Sequence, residues 1–166
     1  EAGVPPGVLQ YLPGTGEEAG AALARHPEVH TILFTGSKAV GLSLAGMCAE
    51  VQPGQRFVKH LIAEMGGKNA VIVDADADLD AAAAGILRSA FSYAGQKCSA
   101  ASRLIVHAAV HDRLLERLSA AVDRLVLGSP ADPAVDVGPL IEEAAQRRLL
   151  EAAARARQVA TVAYRY

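Results

Sequence analysis

A cysteine and a glutamate, each predicted to lie on a turn, could provide a nucleophile and a base. Cys98 follows a long alanine-rich stretch that predicts a helix, and Gly95 can end that helix just before it. The residues beside Cys98 are polar, and the adjacent lysine favours the thiolate, which is the nucleophilic form of cysteine. Glu64 precedes a glycine pair, where a carboxylate can lie next to a water and take its proton.

Both residues also have ordinary structural interpretations, which the residues alone leave open. A lone cysteine is most often an inert buried side chain, and Cys48 in the middle of a predicted helix fits that description better than Cys98 does. Glu64 could equally be a solvated acid at the end of a strand, or an ion-pair partner of Lys68.

A third feature is the stretch from Phe34 to Gly41, where a predicted strand turns through glycine and serine into a helix. Free N–H groups at a helix start favour anions, so this turn is a candidate phosphate site. Gly41 would let the helix pack closely against a neighbour. The spacing matches neither the Gly-x-Gly-x-x-Gly pattern nor a Walker loop, and most turns of this kind bind nothing.

Alternating strands and helices position these residues. We predict strands over 8–12, 29–34, 57–63, 69–73, 103–107 and 159–164, and helices over 19–24, 38–49, 79–93, 110–127 and 141–157. Residues 64–68 are predicted to form the exit turn of the third strand. Thr15 and the acids at 74–78 are candidate helix caps. This alternation is the pattern of an α/β fold with parallel strands and crossover helices.

Composition narrows the possible functions. The 166 residues are 51% hydrophobic and 20% charged, which indicates a globular chain with a real core. The net charge of −2 and the lack of a basic block argue against nucleic-acid or anionic-membrane partners. Two cysteines favour a reducing compartment, and we expect the cytoplasm. His107 and His111 should lie on different elements, so no metal site is predicted. Both ends suggest a piece of a longer protein.

Taken in order along the chain, the motifs resemble the aldehyde dehydrogenase superfamily. The matching stretches are Pro13-Gly14-Thr15-Gly16-Glu17-Glu18-Ala19-Gly20, Phe34-Thr35-Gly36-Ser37, Glu64-Met65-Gly66-Gly67-Lys68-Asn69 and Gly95-Gln96-Lys97-Cys98-Ser99-Ala100. The 34-residue separation of Glu64 and Cys98 is also typical of that family. The resemblance covers nearly the whole chain. It implies the C-terminal part of a Rossmann-type NAD-binding domain over residues 1–66, followed by the start of the α/β catalytic domain over residues 67–166.

The resemblance also implies roles for individual residues. Cys98 would attack the aldehyde carbon to give a thiohemiacetal and then a thioester, and Glu64 would activate the water that hydrolyses the thioester. The oxyanion would be held by the Cys98 N–H and by an asparagine that the family carries upstream of this stretch. NAD is the implied cofactor. The residues implied to bind it are Gly16, Gly20, Phe34, Thr35, Gly36, Ser37, Val40, Glu64, Met65 and Gly66.

Within the family, the stretch from Val51 to Phe57 resembles the branch that oxidises L-glutamate γ-semialdehyde in proline and arginine breakdown. That branch implies that Ser99 helps to hold the substrate α-carboxylate. The implied assembly is a homo-oligomer, and the 166 residues alone are expected to be inactive. Two alternatives stay open: another semialdehyde dehydrogenase of the same fold, such as one for succinate semialdehyde, and a truncated non-catalytic module.

Overall fold

The computed structural model describes residues 3–164, which divide into two compact units at Gly66 and Gly67. Each unit contains one pair of parallel strands with a helix between them in the chain. The predicted α/β fold with parallel strands is therefore confirmed.

The first unit is built around the parallel pair β1–β2. Its elements are a turn of π-helix (Gly16–Gly20), α1 (Ala21–Arg25), β1 (Thr31–Gly36), α2 (Lys38–Ala49) and β2 (His60–Met65). The Thr15 hydroxyl accepts a hydrogen bond from the Glu18 N–H, so the predicted cap is confirmed. The β1–β2 ladder runs in register from Thr31 opposite His60 to Gly36 opposite Met65.

A buried lysine connects the two strands of this unit at the end where the ladder begins. Lys59 is only 6% exposed, and its ammonium group donates hydrogen bonds to the backbone carbonyls of Val29, at 3.0 Å, and His26. A buried cation is costly unless it is paired, and these carbonyls supply the partners. Lys59 therefore ties the loop before β1 to the start of β2.

The second unit is built around the parallel pair β3–β4. Its elements are β3 (Asn69–Val73), α3 (Leu79–Phe91), β4 (Ala101–Val106), α4 (His111–Val122) and α5 (Glu143–Val159), with short 3₁₀ turns at Ser92–Gly95 and Ala108–Val110. The carboxylate of Asp78 caps α3 by accepting from the N–H groups of Asp80 and Ala81. This confirms one of the predicted caps.

The core of the second unit is a small apolar cluster between the two strands and the helices α3 and α4. Its buried members are Val73, Leu79, Ala83, Ile86, Val110 and Leu114. Leu114 is the most deeply buried of them, at 1% exposure. Because the residues before and after the cysteine turn both belong to elements of this cluster, the cluster fixes the two ends of that turn.

Five sequence predictions about elements are wrong: the four that follow, and the exit turn predicted at Glu64, which lies on β2. Residues 8–12 form no strand, and Leu9 and Tyr11 are more than four-fifths exposed. Residues 160–164 also form no strand, and α5 continues instead to Val159. A strand needs a neighbour for its backbone groups, and neither segment pairs with one within residues 3–164. The helices α3 and α4 end earlier than predicted, at Phe91 and Val122.

Candidate active site

Cys98 lies on an exposed turn between α3 and β4. α3 ends at Phe91, and three successive residues of the 3₁₀ turn after it, Tyr93, Ala94 and Gly95, are left-handed, with φ of 55°, 56° and 70°. The prediction that Gly95 ends the helix is therefore wrong: Gly95 adopts its left-handed conformation without cost in the turn that follows, whereas each non-glycine residue there costs about 1 kcal/mol or more. The Ala100 N–H then donates to the Lys97 carbonyl at 3.2 Å and closes the turn around Cys98.

The side-chain amide of Asn69 holds this turn from the side of β3. Its Nδ2 donates to the backbone carbonyl of Cys98 at 2.8 Å and to that of Ala100 at 3.3 Å. The next backbone N–H, that of Ala101, donates to the hydroxyl of Ser89 on α3 at 3.3 Å. The turn is thereby anchored to a strand and a helix of the same unit.

A second amide, that of Gln96, connects the turn to the loop before α5. Its Nε2 donates to the carbonyls of Tyr93 at 3.1 Å and Pro139 at 3.4 Å, and its Oε1 accepts from the Ile141 N–H at 2.9 Å. The Lys97 ammonium lies 5.5 Å from the centre of the Tyr93 ring, which is a cation–π arrangement. Gln96 and Lys97, the two polar residues before Cys98, are thus occupied in contacts within and beside the turn.

The nucleophile candidate itself is free of such contacts. Neither the thiol nor the backbone N–H of Cys98 makes a hydrogen bond to another residue in the range 3–164. Ser99, the candidate for substrate binding, is also exposed on this turn. Cys48 is half-buried within α2, as expected for a structural cysteine. An exposed thiol with an unused N–H beside it can attack a carbonyl carbon and stabilise the resulting oxyanion.

Glu64 lies on the strand β2, so the prediction that it belongs to the exit turn is wrong. It is an exposed residue opposite Thr35 of β1, and one more pair, Gly36 with Met65, completes the ladder. The strand runs through Glu64 because β1 provides hydrogen-bond partners as far as Gly36. The turn therefore begins at the glycine pair after Met65.

The candidate cofactor residues of β1, α2 and β2 meet at one edge of the first unit. Residues 34–36 end β1, and Glu64, Met65 and Gly66 form the end of β2 and the residue after it. Ser37 caps α2 by accepting from the Val40 N–H at 3.3 Å. The carboxyl ends of parallel strands are where ligands bind in open α/β sheets.

Two glycines at this edge are places where a larger side chain would not fit. A Cβ at Gly36 would lie 2.5 Å from the Phe34 ring, and a Cβ at Gly41 would lie 2.7 Å from the Met65 sulfur. Gly41 is buried, and the predicted close packing of α2 there is confirmed. Gly16 and Gly20, the remaining cofactor candidates, begin and end the π-helical turn.

Sequence reasoning missed Asn69, Gln96 and Ser89 as supports of the cysteine turn. Asn69 and Gln96 lie within the motifs around Glu64 and Cys98. An amide side chain can both donate and accept hydrogen bonds, so its presence beside a predicted turn was the signal that could have identified these supports. No group of three metal-binding side chains is placed to hold an ion among the residues described. No helix within residues 3–164 is long and apolar enough to span a membrane.

The fold and the site together define an α/β protein with an exposed cysteine turn in one unit and a glycine–serine helix start in the other. The model of the aldehyde dehydrogenase family matches residues 1–164, and the chain belongs to that family. The chain is 50% identical over 151 residues to a 1-pyrroline-5-carboxylate dehydrogenase of Bacillus subtilis and 48% identical to one of Geobacillus thermodenitrificans. Each alignment covers 91% of the chain and 29% of the relative.

Solved structures of a proline utilization A and a 1-pyrroline-5-carboxylate dehydrogenase are also similar to this chain. The crystal structure of proline utilization A from Bdellovibrio bacteriovorus superposes with a TM-score of 0.92 at 48% identity, over 95% of this chain and 16% of that one. A Thermus 1-pyrroline-5-carboxylate dehydrogenase with bound NAD gives a TM-score of 0.90 at 41% identity, over 99% of this chain and 32% of that one. The chain therefore spans less than a third of the length of these relatives.

Proposed function

We propose that these residues belong to a dehydrogenase that oxidises L-glutamate γ-semialdehyde to L-glutamate with NAD. The observation that carries the proposal is the exposed, anchored Cys98 turn in a chain half identical to a 1-pyrroline-5-carboxylate dehydrogenase. Hydrolysis of the ring imine of 1-pyrroline-5-carboxylate opens it to this aldehyde, which a thiolate can attack. Residues 1–66 would contribute to the cofactor domain and residues 67–166 to the catalytic domain.

The first proposed step is covalent capture of the substrate. The Cys98 thiolate attacks the aldehyde carbon, a C–S bond forms, and the carbonyl electron pair moves to oxygen. The free N–H of Cys98 stabilises this oxyanion. The Ser99 hydroxyl, beside the nucleophile, donates a hydrogen bond to the substrate α-carboxylate. Such a bond to a charged acceptor is stronger than one between neutral groups, so it can contribute to substrate selection.

The second step removes hydride and leaves a thioester on Cys98. NAD, when bound, accepts this hydride as two electrons and one proton. The residues that would hold its pyrophosphate are Gly36, which ends β1, and Ser37, which caps the 12-residue helix α2, together with the first N–H groups of that helix. Gly16 and Gly20 would lie near its adenosine half, and Glu64, Met65 and Gly66 near its nicotinamide half.

The third step is hydrolysis. Glu64 takes a proton from water, the water oxygen attacks the thioester carbon, and the C–S bond breaks to return the thiolate and release glutamate. Overall, aldehyde, water and NAD give carboxylate, NADH and protons.

The test uses the full-length protein with L-glutamate γ-semialdehyde or succinate semialdehyde, following NADH absorbance. The carboxylate of succinate semialdehyde lies one carbon nearer the aldehyde than the α-carboxylate of the amino-acid substrate and so would miss Ser99. The proposal therefore predicts a kcat/KM at least about tenfold higher for the amino-acid substrate, since a lost charged hydrogen bond costs about 1.5–3 kcal/mol. It also predicts that Cys98→Ser abolishes turnover. A preference for succinate semialdehyde would instead favour another dehydrogenase of this family. The 166 residues alone should produce no steady NADH signal.

The proposal extends to the compartment, the oligomeric state and the partners of the enzyme. Two free cysteines suit a reducing compartment such as the cytoplasm. We expect the full-length protein to be a homo-oligomer, which sedimentation of the purified protein would show. The expected partners are the aldehyde and NAD, with no nucleic acid, membrane or metal.

A further inference from the structure

We propose that Asn69 is a positioning residue for Cys98 and Ser99, an inference that rests on the proposed function of Cys98 as the nucleophile. Asn69 is the first residue of β3, and its amide donates to the two carbonyls that flank Ser99 in the chain, those of Cys98 and Ala100. One side chain thus holds the backbone of Cys98 itself and the backbone on both sides of Ser99.

These bonds fix the orientation of two peptide planes. In a trans peptide the C=O and the following N–H point in opposite directions, and no cis peptide bond occurs in the described residues. With its carbonyl held by Asn69, the Cys98–Ser99 peptide directs the Ser99 N–H away from β3. The Ala100–Ala101 peptide is held at both ends, by Asn69 and by the Ser89 hydroxyl.

The thiol depends on this backbone anchoring for its position. Because the Cys98 side chain makes no hydrogen bond within residues 3–164, its direction is set by the turn that carries it. Moving a reacting atom by about 1 Å can cost about 100-fold in rate. The Asn69 amide is the side-chain group bonded directly to the backbone of Cys98.

A bulge in the parallel pair β3–β4 coincides with Asn69. Asn69 pairs with Ala101, but the next residue, Ala70, pairs with Arg103, so Ser102 is the extra residue. The Ser102 hydroxyl donates a weak bond of 3.5 Å to the Asn69 carbonyl. Bulges redirect side chains and are common beside active sites.

The space next to this amide is also restricted. A Cβ at Gly67 would lie 3.3 Å from the Asn69 side-chain oxygen and 3.4 Å from the Cys98 carbonyl oxygen. Glycine at this position therefore leaves the amide–carbonyl bond uncrowded. Gly67 and the Asn69 amide thus both contribute to holding the cysteine turn.

The test is the variant Asn69→Asp in the full-length protein, because aspartate has the same size but its ionised side chain cannot donate. The assay is the burst of nitrophenolate from 4-nitrophenyl acetate. In it the thiolate attacks the ester carbon, nitrophenolate leaves, and an acetyl thioester forms on Cys98. This reaction needs neither NAD nor the natural aldehyde. Failure of the substrate assignment therefore leaves this result intact.

We expect the burst rate to fall by about 10- to 100-fold in Asn69→Asp. The KM for L-glutamate γ-semialdehyde should also rise, because Asn69 holds the backbone on both sides of Ser99, the residue proposed to bind the substrate α-carboxylate. Hydrogen exchange should rise at residues 97–101 and stay unchanged at 70–73. Ser102→Ala is the matched control: it removes a neighbour of Asn69 but neither bond to the turn, and it should behave as the parent protein.

Two results would overturn the proposal. One is a burst rate in Asn69→Asp within twofold of the parent. The other is faster exchange throughout β3 together with slower capture, since this would make Asn69 a general support of the fold. If both Asn69→Asp and the parent protein lack a burst, the nucleophile assignment of Cys98 is wrong as well, and the inference fails with it.

Discussion

Glu64 lies directly opposite Thr35 in the parallel pair β1–β2, one pair before the ladder ends at Gly36 and Met65. Neighbouring strands are about 4.8 Å apart, so the candidate base is next to the strand that leads into α2. One short ladder thus places the proposed base and the proposed pyrophosphate site at the same edge of the first unit. Substitutions at this edge should therefore affect both thioester hydrolysis and NAD binding.

Gly41 and Gly46, on the same helix, make a matched pair for testing how closely α2 packs on β2. A Cβ at Gly41 would lie 2.7 Å from the Met65 sulfur, whereas nothing lies within 4 Å of one at Gly46. Gly41→Val should lower the free energy of unfolding by about 1–3 kcal/mol, the usual cost of overpacking. Gly46→Val should stay within about 0.5 kcal/mol. Urea titrations followed by circular dichroism would measure both, and equal effects would contradict the close packing.

If Glu64 is the base for thioester hydrolysis, its substitution should slow hydrolysis without slowing the earlier hydride transfer. Glu64→Gln in the full-length protein should slow steady-state turnover by about 10²–10⁴-fold, the range lost with a general base. The first turnover should still release NADH, because hydride transfer precedes hydrolysis. Stopped-flow absorbance would show a burst followed by a slow phase. Glu50→Gln, which changes another exposed glutamate of the same unit, should leave both phases unchanged. A normal steady state in Glu64→Gln would rule out this role.

Ser99 should determine substrate preference more than catalytic power. Ser99→Ala should raise the KM for L-glutamate γ-semialdehyde about tenfold or more, because a hydrogen bond to a charged carboxylate is lost. Butanal has no carboxylate and is the matched control substrate, so its KM should change little. Steady-state rates on both aldehydes would test this. Equal losses on both would assign Ser99 to the turn rather than to the substrate.

The core of the second unit should be sensitive to the loss of one leucine. Leu114 is 1% exposed within the cluster against which the strands beside the cysteine turn pack. Leu114→Ala should therefore cost about 2–5 kcal/mol in the free energy of unfolding. Leu149→Ala, at a leucine of α5 that is 54% exposed, is the control and should cost less than about 0.5 kcal/mol. Similar urea midpoints for the two variants would disprove this account of the core.

The sequence predicts much of the fold because its local signals are strong. The helix from Lys38 to Ala49 and the strand from Asn69 to Val73 have the predicted bounds, and a serine cap and a glycine pair mark where they begin. The short, mostly apolar segment 8–12 predicts a strand equally well, yet a strand also needs a partner, and the local sequence does not reveal one. The prediction of a turn at Glu64 fails for a related reason. β2 continues for as long as β1 provides a partner, and the local sequence around Glu64 does not show how far β1 extends.

The candidate site was predicted only in part. The exposed turn at Cys98 follows from Gly95 and polar neighbours, but the left-handed conformations of Tyr93 and Ala94 do not, because neither residue type favours them. The bonds from Asn69 and Gln96 join residues 29 to 45 positions apart. Such contacts depend on how the elements pack, which a local pattern does not encode.

The central claim is that Cys98 carries the substrate as a thioester. The direct measurement is mass spectrometry of the full-length Glu64→Gln variant, acid-quenched during turnover with L-glutamate γ-semialdehyde and NAD. The account predicts a glutamyl group on the Cys98 peptide that hydroxylamine removes, and no modification of the Cys48 peptide. An unmodified Cys98 peptide in a sample that has released NADH would contradict it.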